Sequence, residues 1–400
     1  MDSSLVALLV GRCFVSSGFS MVMLASPQLL LEINGMDHTR ADKVRAHVET
    51  MNTMSGFLFR PMVGSFIDAY GRRAGLVGGP ALAALARLLV VKFPTNTNYI
   101  IYRFVNLLSM IPLMQAFSAT LSDKLGGRGS KEYARVSKAT SMLLALVRSV
   151  SLMLTSRVRN SRQRFLLAGA FNVMASATFY LFVGESLGKA ERRPLKLVKA
   201  ANPFAFLPFF AQSSKLRALA LFTLARSAPE YNGTTGYYRR KRFHWKLQDE
   251  ARVQQIGNFA EVVGPLVSLP LMERIGRRRT AICLQTARAV VNLNTAFTPD
   301  SRTLLCNPVL LALFDSTCTD RLDHEAASSV DAGSGELSSN LMNLRFPLGM
   351  VLPNLFSSMF SSPILDGASP FVLCAALHLL NASVSVPLAW ATILPGKSCN

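Results

Sequence analysis

Apolar stretches close to twenty residues long recur about twelve times along this chain of 400 residues, and no other feature limits its fold so strongly. In loose bounds they run 5–31, 48–69, 74–93, 99–121, 133–155, 165–187, 216–237, 254–272, 280–297, 303–319, 337–364 and 370–394. A hydrocarbon core about 30 Å thick takes roughly 20 helical residues to cross. Backbone amides find no water there, so a crossing segment must satisfy its own hydrogen bonds as a helix. The pattern implies an all-α polytopic membrane protein with about twelve transmembrane helices. Only 16% of the residues are charged, against about a quarter in a typical soluble domain, and little chain is left over for a soluble domain.

The longest link between runs, 188–215, carries Lys189, Arg192, Arg193, Lys196 and Lys199 with Pro194, Pro203 and Pro208. A basic, proline-bearing stretch at mid-chain reads as a cytoplasmic linker. It divides the sequence into an N-terminal six-helix bundle, 1–187, and a C-terminal six-helix bundle, 216–400. With both termini cytoplasmic, the inner loops hold Arg72 and Arg73, the 124–138 segment, the linker and 274–279, which follows the positive-inside bias. The outer face keeps 157–164 and the cluster Arg239, Arg240, Lys241 and Arg242.

The formal net charge is +20. On a soluble chain that excess would point to nucleic acid. Here the cations cluster between apolar runs, as contact with anionic lipid head groups requires, and no basic–aromatic interleaving suggests a nucleotide platform. The six cysteines, Cys13, Cys283, Cys306, Cys318, Cys374 and Cys399, form no C-x-x-C pair and read as small packing residues rather than a metal or disulfide framework. No phosphate loop, H-E-x-x-H or nucleophile elbow occurs. The sequence therefore suggests no enzyme, no cofactor, no metal and no ATP-driven pump.

One local pattern occurs twice. After the second run come Gly64, Asp68, Gly71, Arg72 and Arg73; after the eighth come Glu273, Arg274, Gly276, Arg277 and Arg278. Acid, glycine and arginine pair recur 205 residues apart, half the chain, which is the trace two fused repeats would leave. Each glycine permits a tight turn between antiparallel helices. The arginines hold the loop at the inner head groups. Asp68 and Glu273 stand at helix ends, where pairing with a neighbouring arginine could latch one conformation and release another; the plainer reading is that each cluster only anchors topology.

At these residues the sequence resembles the major facilitator superfamily, whose loop after helix 2 carries glycine, three residues, aspartate, then glycine and two basic residues. Ala69 stands where a basic residue usually follows the aspartate, and the second copy has Leu269 in place of the first glycine. More narrowly, Tyr237–Arg239 leading to Phe243–Trp245, and Gly335–Leu337 followed by Asn343–Arg345, are similar to the tetracycline-resistance-type and hippocampus-abundant-transcript-like branch. The resemblance implies a monomeric secondary transporter that carries a small organic solute by alternating access between two six-helix halves. The rival reading is a receptor or scaffold that keeps the fold without transport.

Arginines interrupt the apolar runs at Arg12, Arg60, Arg87, Arg103, Arg148, Arg226, Arg288 and Arg345. Each would cost about 2.5–3.5 kcal/mol at a helix centre facing lipid, so they must snorkel, pair or line a wet cavity. Arg87 and Arg288 lie far from the inner turns and are expected to snorkel to the outer surface. Arg103, Arg148 and Arg345 are candidates for a cavity or for a buried pairing, and Gln115 for the cavity lining or an interhelical bond. Among the acids, Asp315 and Glu261 are the candidates for proton coupling, with Glu32 and Glu185 near run ends. No acid occupies the 5–31 run, where proton-coupled relatives keep one. The surplus of internal arginine suggests an anionic solute. His378 reads as a helix-bonding residue, and the sequons at Asn232 and Asn381 as unused.

Overall fold

The computed structural model describes residues 3–125, 131–158, 160–188, 192, 204, 207, 209–314 and 344–394. Every regular element among them is helical. The α-helices of eight residues or more are α1 (Ser3–Ile33), α2 (His38–Tyr70), α3 (Arg72–Lys92), α4 (Asn96–Lys124), α5 (Lys131–Arg157), α6 (Ser161–Phe182), α7 (Ser214–Ser227), α8 (Thr235–Phe243), α9 (Leu247–Ile275), α10 (Arg277–Phe297), α11 (Asn307–Phe314), α12 (Phe346–Ser361), α13 (Ser369–Leu380) and α14 (Val386–Ile393). Among the described residues, six segments are long and apolar enough to cross a membrane: α1, α3, α4, Ala139–Arg157 of α5, α6 and Ser369–Ile393. Helices α2 and α9 are as long, 33 and 29 residues, but carry more charge along their length.

Short polar caps set where the helices begin. Asp37 accepts from the amides of Thr39 and Arg40 at the start of α2, Thr95 from Asn98 at α4, Asn160 from Arg162 at α6 and Ser213 from Leu216 at α7. Each removes an orphan donor that a helix end otherwise exposes.

The chain groups into two compact units, Met1–Asn202 with Leu247–Asn258, and Pro203–Lys246 with Phe259–Asn400. The first unit is cored by Leu5, Leu8 and Val15 of α1, Leu76 of α3, Leu113 and Phe117 of α4 and Phe179 of α6. Lipid offers no hydrophobic drive to pair helices, so close backbone approach between small residues takes over. At Gly79 of α3 an added Cβ would sit 2.6 Å from the Ser109 carbonyl of α4, so only glycine lets these two helices meet.

The second unit departs from the expected continuous helices in several places, among them a 3-10 helix over Ser301–Cys306 ahead of α11. The 216–237 run is not one helix: α7 stops at Ser227, a 3-10 turn covers Ala228–Tyr231, and α8 begins at Thr235. Pro229, which lacks an amide and clashes with the preceding turn, explains the interruption. The closing run is a helix with a π-helical turn, Asn381–Ser385, between α13 and α14. Asn381 donates to the Ala225 carbonyl at 2.8 Å, and the Ser385 hydroxyl donates to the Asn381 side chain at 3.0 Å.

Candidate functional site

The repeated turn has the same backbone in both places. Gly71 lies at φ 98°, ψ 158° and Gly276 at φ 83°, ψ 151°, conformations that a side chain would strain. Each glycine amide closes the preceding helix, on Ile67 at 3.0 Å and on Met272 at 2.9 Å, residues that are themselves 205 apart.

The surroundings of the two turns differ. At the first, the Arg72 guanidinium pairs with Asp123 at the end of α4. The backbone amides of Arg72 and Arg73 donate to the two carboxylate oxygens of Glu185, at 3.0 and 3.2 Å. Arg73 also donates to the Tyr180 carbonyl at 2.5 Å and lies over the Tyr180 ring, 5.1 Å from its centroid. Glu185 is therefore a carboxylate cap on the positive end of α3. Burial alone would push its carboxyl up; the Leu187, Arg72 and Arg73 amides and the Arg192 charge outweigh that and hold it below the usual carboxylate range. At the second turn Glu273, Arg274 and Arg277 are exposed, with no ion pair among the described residues, and Arg278 is half-buried.

Gly64 and Asp68 lie on α2 and Glu261 on α9, but the side chains of Asp68 and Glu261, and the whole of Asp315, lie outside the described residues. Sequence did not single out Asp123 as a partner of this turn, and it noted Glu185 only as an acid near a run end. Each lies far along the chain, and nothing local marks it.

The internal arginines meet several fates. Arg87 does not snorkel. It is 1% exposed, and Nη1 donates to the Ala168 carbonyl of α6 at 2.6 Å, with Tyr102 of α4 also facing it. Sequence gives depth along a helix but not the direction around it, and Gly18 of α1 leaves the space this guanidinium fills. Arg103 faces Tyr99, Tyr102 and Glu49. The Gln115 carbonyl oxygen is buried, with no hydrogen-bond partner among the described residues. Arg148 donates Nε–H to Leu144 at 3.4 Å and lies close enough to Arg12 for their charges to repel.

In the second unit Arg288 and Arg345 share one carboxylate. Glu230 Oε1 lies 3.5 Å from Arg288 Nη1, and Oε2 lies 3.9 Å from Arg345 Nη1. Arg288 is therefore paired rather than reaching outward alone. Glu230 sits in the 3-10 break after α7, and the next residue, Tyr231, donates its hydroxyl to the Arg345 carbonyl at 2.9 Å. Sequence passed over Glu230, although Pro229 and Gly233 flank it, and a proline–glycine interruption of an apolar run is the signal that points to such a site. Nearby, buried His378 bonds Gln285 of α10 through Nδ1 at 2.8 Å, the helix-joining role expected for it.

A protein-family model described as "Major Facilitator Superfamily" matches residues 8–282. No curated protein matches the sequence significantly. Solved structures share the fold. The human organic anion transporter MFSD10 (TETRAN) aligns with a TM-score of 0.69 at 16% identity, covering 95% of this chain and 98% of that one. The nucleoside transporter NupG gives 0.67 at 12% identity, covering 98% of each chain. A POT family transporter in complex with 5-aminolevulinic acid gives 0.71 at 13% identity, covering 96% of each.

Proposed function

This chain belongs to the major facilitator superfamily, and from that premise we propose that, as a multi-pass membrane secondary transporter, it moves an organic anion by alternating access. The halves 1–187 and 216–400 would rock as monomeric bundles in lipid, with the Gly71 and Gly276 turns as the flexing points at the inner surface. The carrying observation is the cluster in the break after α7: two guanidinium groups, of Arg288 and Arg345, around the one carboxylate of Glu230. That grouping keeps a net positive charge, and Glu230 is 43% exposed along its side chain, so an anionic solute can compete for the arginines. The likeness to a transporter of organic anions and to one holding an amino acid agrees with this reading. A coupled proton would need a carboxylate to ride on, and Glu230 joins Glu261 and Asp315 as a group available for it.

Uptake by the purified protein in proteoliposomes tests the proposal. Labelled organic anions should accumulate against a blank vesicle, and Arg345→Gln should lower that uptake by about tenfold, the value of one charged hydrogen bond. Transport confined to cations and indifferent to Arg345→Gln would overturn it, and an absence of any flux would favour a receptor that keeps the fold.

A further inference from the structure

The carbonyl of Ala225 has a donor that its own helix cannot supply. In a regular helix it would accept from the amide four residues on, but residue 229 is a proline and carries no amide hydrogen. The acceptor this frees lies in the last turn of α7, and a carbonyl held out of water without a partner is costly. Asn381 of the closing segment meets it, Nδ2 donating to the Ala225 carbonyl at 2.8 Å. The Ser385 hydroxyl donates to Oδ1 of the same side chain at 3.0 Å, which turns the amide so that its N–H faces α7. A side-chain amide near the end of the chain thus does what a backbone amide would do if residue 229 had one.

Asn381 belongs to a row of buried polar side chains. Cys374, His378 and Asn381 follow at i, i+4 and i+7, the spacing that places side chains on one helix face, and they are 1%, 4% and 1% exposed. Cys374 Sγ donates to the Pro229 carbonyl at 3.8 Å. His378 bonds Gln285, which lies one turn ahead of Arg288 on α10. The row therefore grips both elements that bring the charged cluster together. One is the 3-10 break, where Glu230 follows Pro229; the other is the stretch of α10 that carries Arg288. Glu230 and Arg288 stand 3.5 Å apart, so a shift of about 1 Å in either support would part them.

We propose that Asn381 is a positioning residue: its amide stands in for the one that Pro229 lacks and, with His378 beside it, fixes where Glu230 stands against Arg288. This rests on the anionic-solute reading above and gives the closing segment a part in it. Proline makes the break that presents Glu230 to the arginines, and asparagine makes that break keep one shape.

The test uses the full-length protein, melted in detergent and assayed in proteoliposomes. Asn381→Leu should lower Tm. Pro229→Ala returns a backbone amide to Ala225, so in that background the same substitution should cost about half as much Tm or less. In proteoliposomes Asn381→Leu should raise KM for a labelled organic anion by about tenfold, with Vmax per folded protein within about twofold of the wild type. Ser385→Ala keeps the donor but frees its orientation, and should raise KM by about threefold. The double variant Pro229→Ala with Asn381→Leu should regain Tm without regaining KM, because a straightened break carries Glu230 away from the arginines. A merely structural asparagine would change the amount of folded protein and leave KM alone. An unchanged KM in both Asn381→Leu and Ser385→Ala therefore overturns the positioning role, while anion uptake by the wild type keeps the broader reading intact. Equal Tm losses in the two backgrounds overturn the substitution of Asn381 for the missing amide. If the wild type moves no anion, the anionic-solute reading falls and the positioning role with it, and the melts then judge the pairing of Asn381 with Ala225 separately.

Discussion

The turn at Gly71 and the turn at Gly276 share a backbone and a sequence pattern, yet among the described residues carboxylates from elsewhere in the chain reach only the first. The dihedrals agree within about fifteen degrees, and both amides close the same kind of helix end. Around Gly71, however, Asp123 and Glu185 arrive from α4 and from the segment after α6 to engage Arg72 and Arg73. Around Gly276, Glu273 and Arg277 have no charged partner among the described residues. The repeat therefore specifies the shape of the turn, and residues outside the repeat decide how firmly it is held. Two copies of one motif can differ in stiffness without differing in fold.

Substitution of the glycines should separate the two turns most widely. An alanine pays about 1–2 kcal/mol for the left-handed backbone at either position. At Gly71 its Cβ would also fall 2.2 Å from Glu185 Oε2, displacing the cap. Gly71→Ala should thus cost about 2–3 kcal/mol and Gly276→Ala about half that, read as Tm in detergent; equal losses would mean that the cap contributes nothing.

Glu185→Gln comes next, at about 1–2 kcal/mol, because one oxygen still accepts, without charge, while an N–H donor replaces the other acceptor. Its pH dependence carries a sign. The folded carboxyl lies below its ordinary range, so its contribution is complete above the unfolded carboxylate pKa and is lost as pH falls through the folded one. Wild type and Glu185→Gln should differ at neutral pH and converge in acid, as parallel melts across pH would reveal.

A double-mutant cycle on Arg72 and Asp123 should give a smaller coupling, about 0.5–1 kcal/mol, since the pair is only partly shielded. Smallest of all, Glu273→Gln should stay within about 0.5 kcal/mol of the wild type. A large loss there would show that the second turn is held after all.

The long helices were legible in the sequence because a span apolar for twenty residues leaves the backbone little choice. The turn was legible because glycine and paired arginine repeat at half the chain length. What escaped was direction and distance. Arg87 lies where an arginine could reach outward, and only the space left by Gly18 shows that it turns inward instead. Glu230 escaped because it hides in a run that was read as one continuous helix, although Pro229 breaks it. Asp123 and Glu185 escaped because their partners lie 51 and 113 residues away in the numbering.

The π turn at Asn381–Ser385 gives the last crossing segment one residue more per turn than an ordinary helix holds. That surplus works as slack in the thread: shortening the chain by a single residue there would tighten the wide turn into a regular one and leave Val386 and Trp390 on the inward side they already occupy. Elsewhere in the same helix, a one-residue deletion would rotate everything beyond it by about 100°.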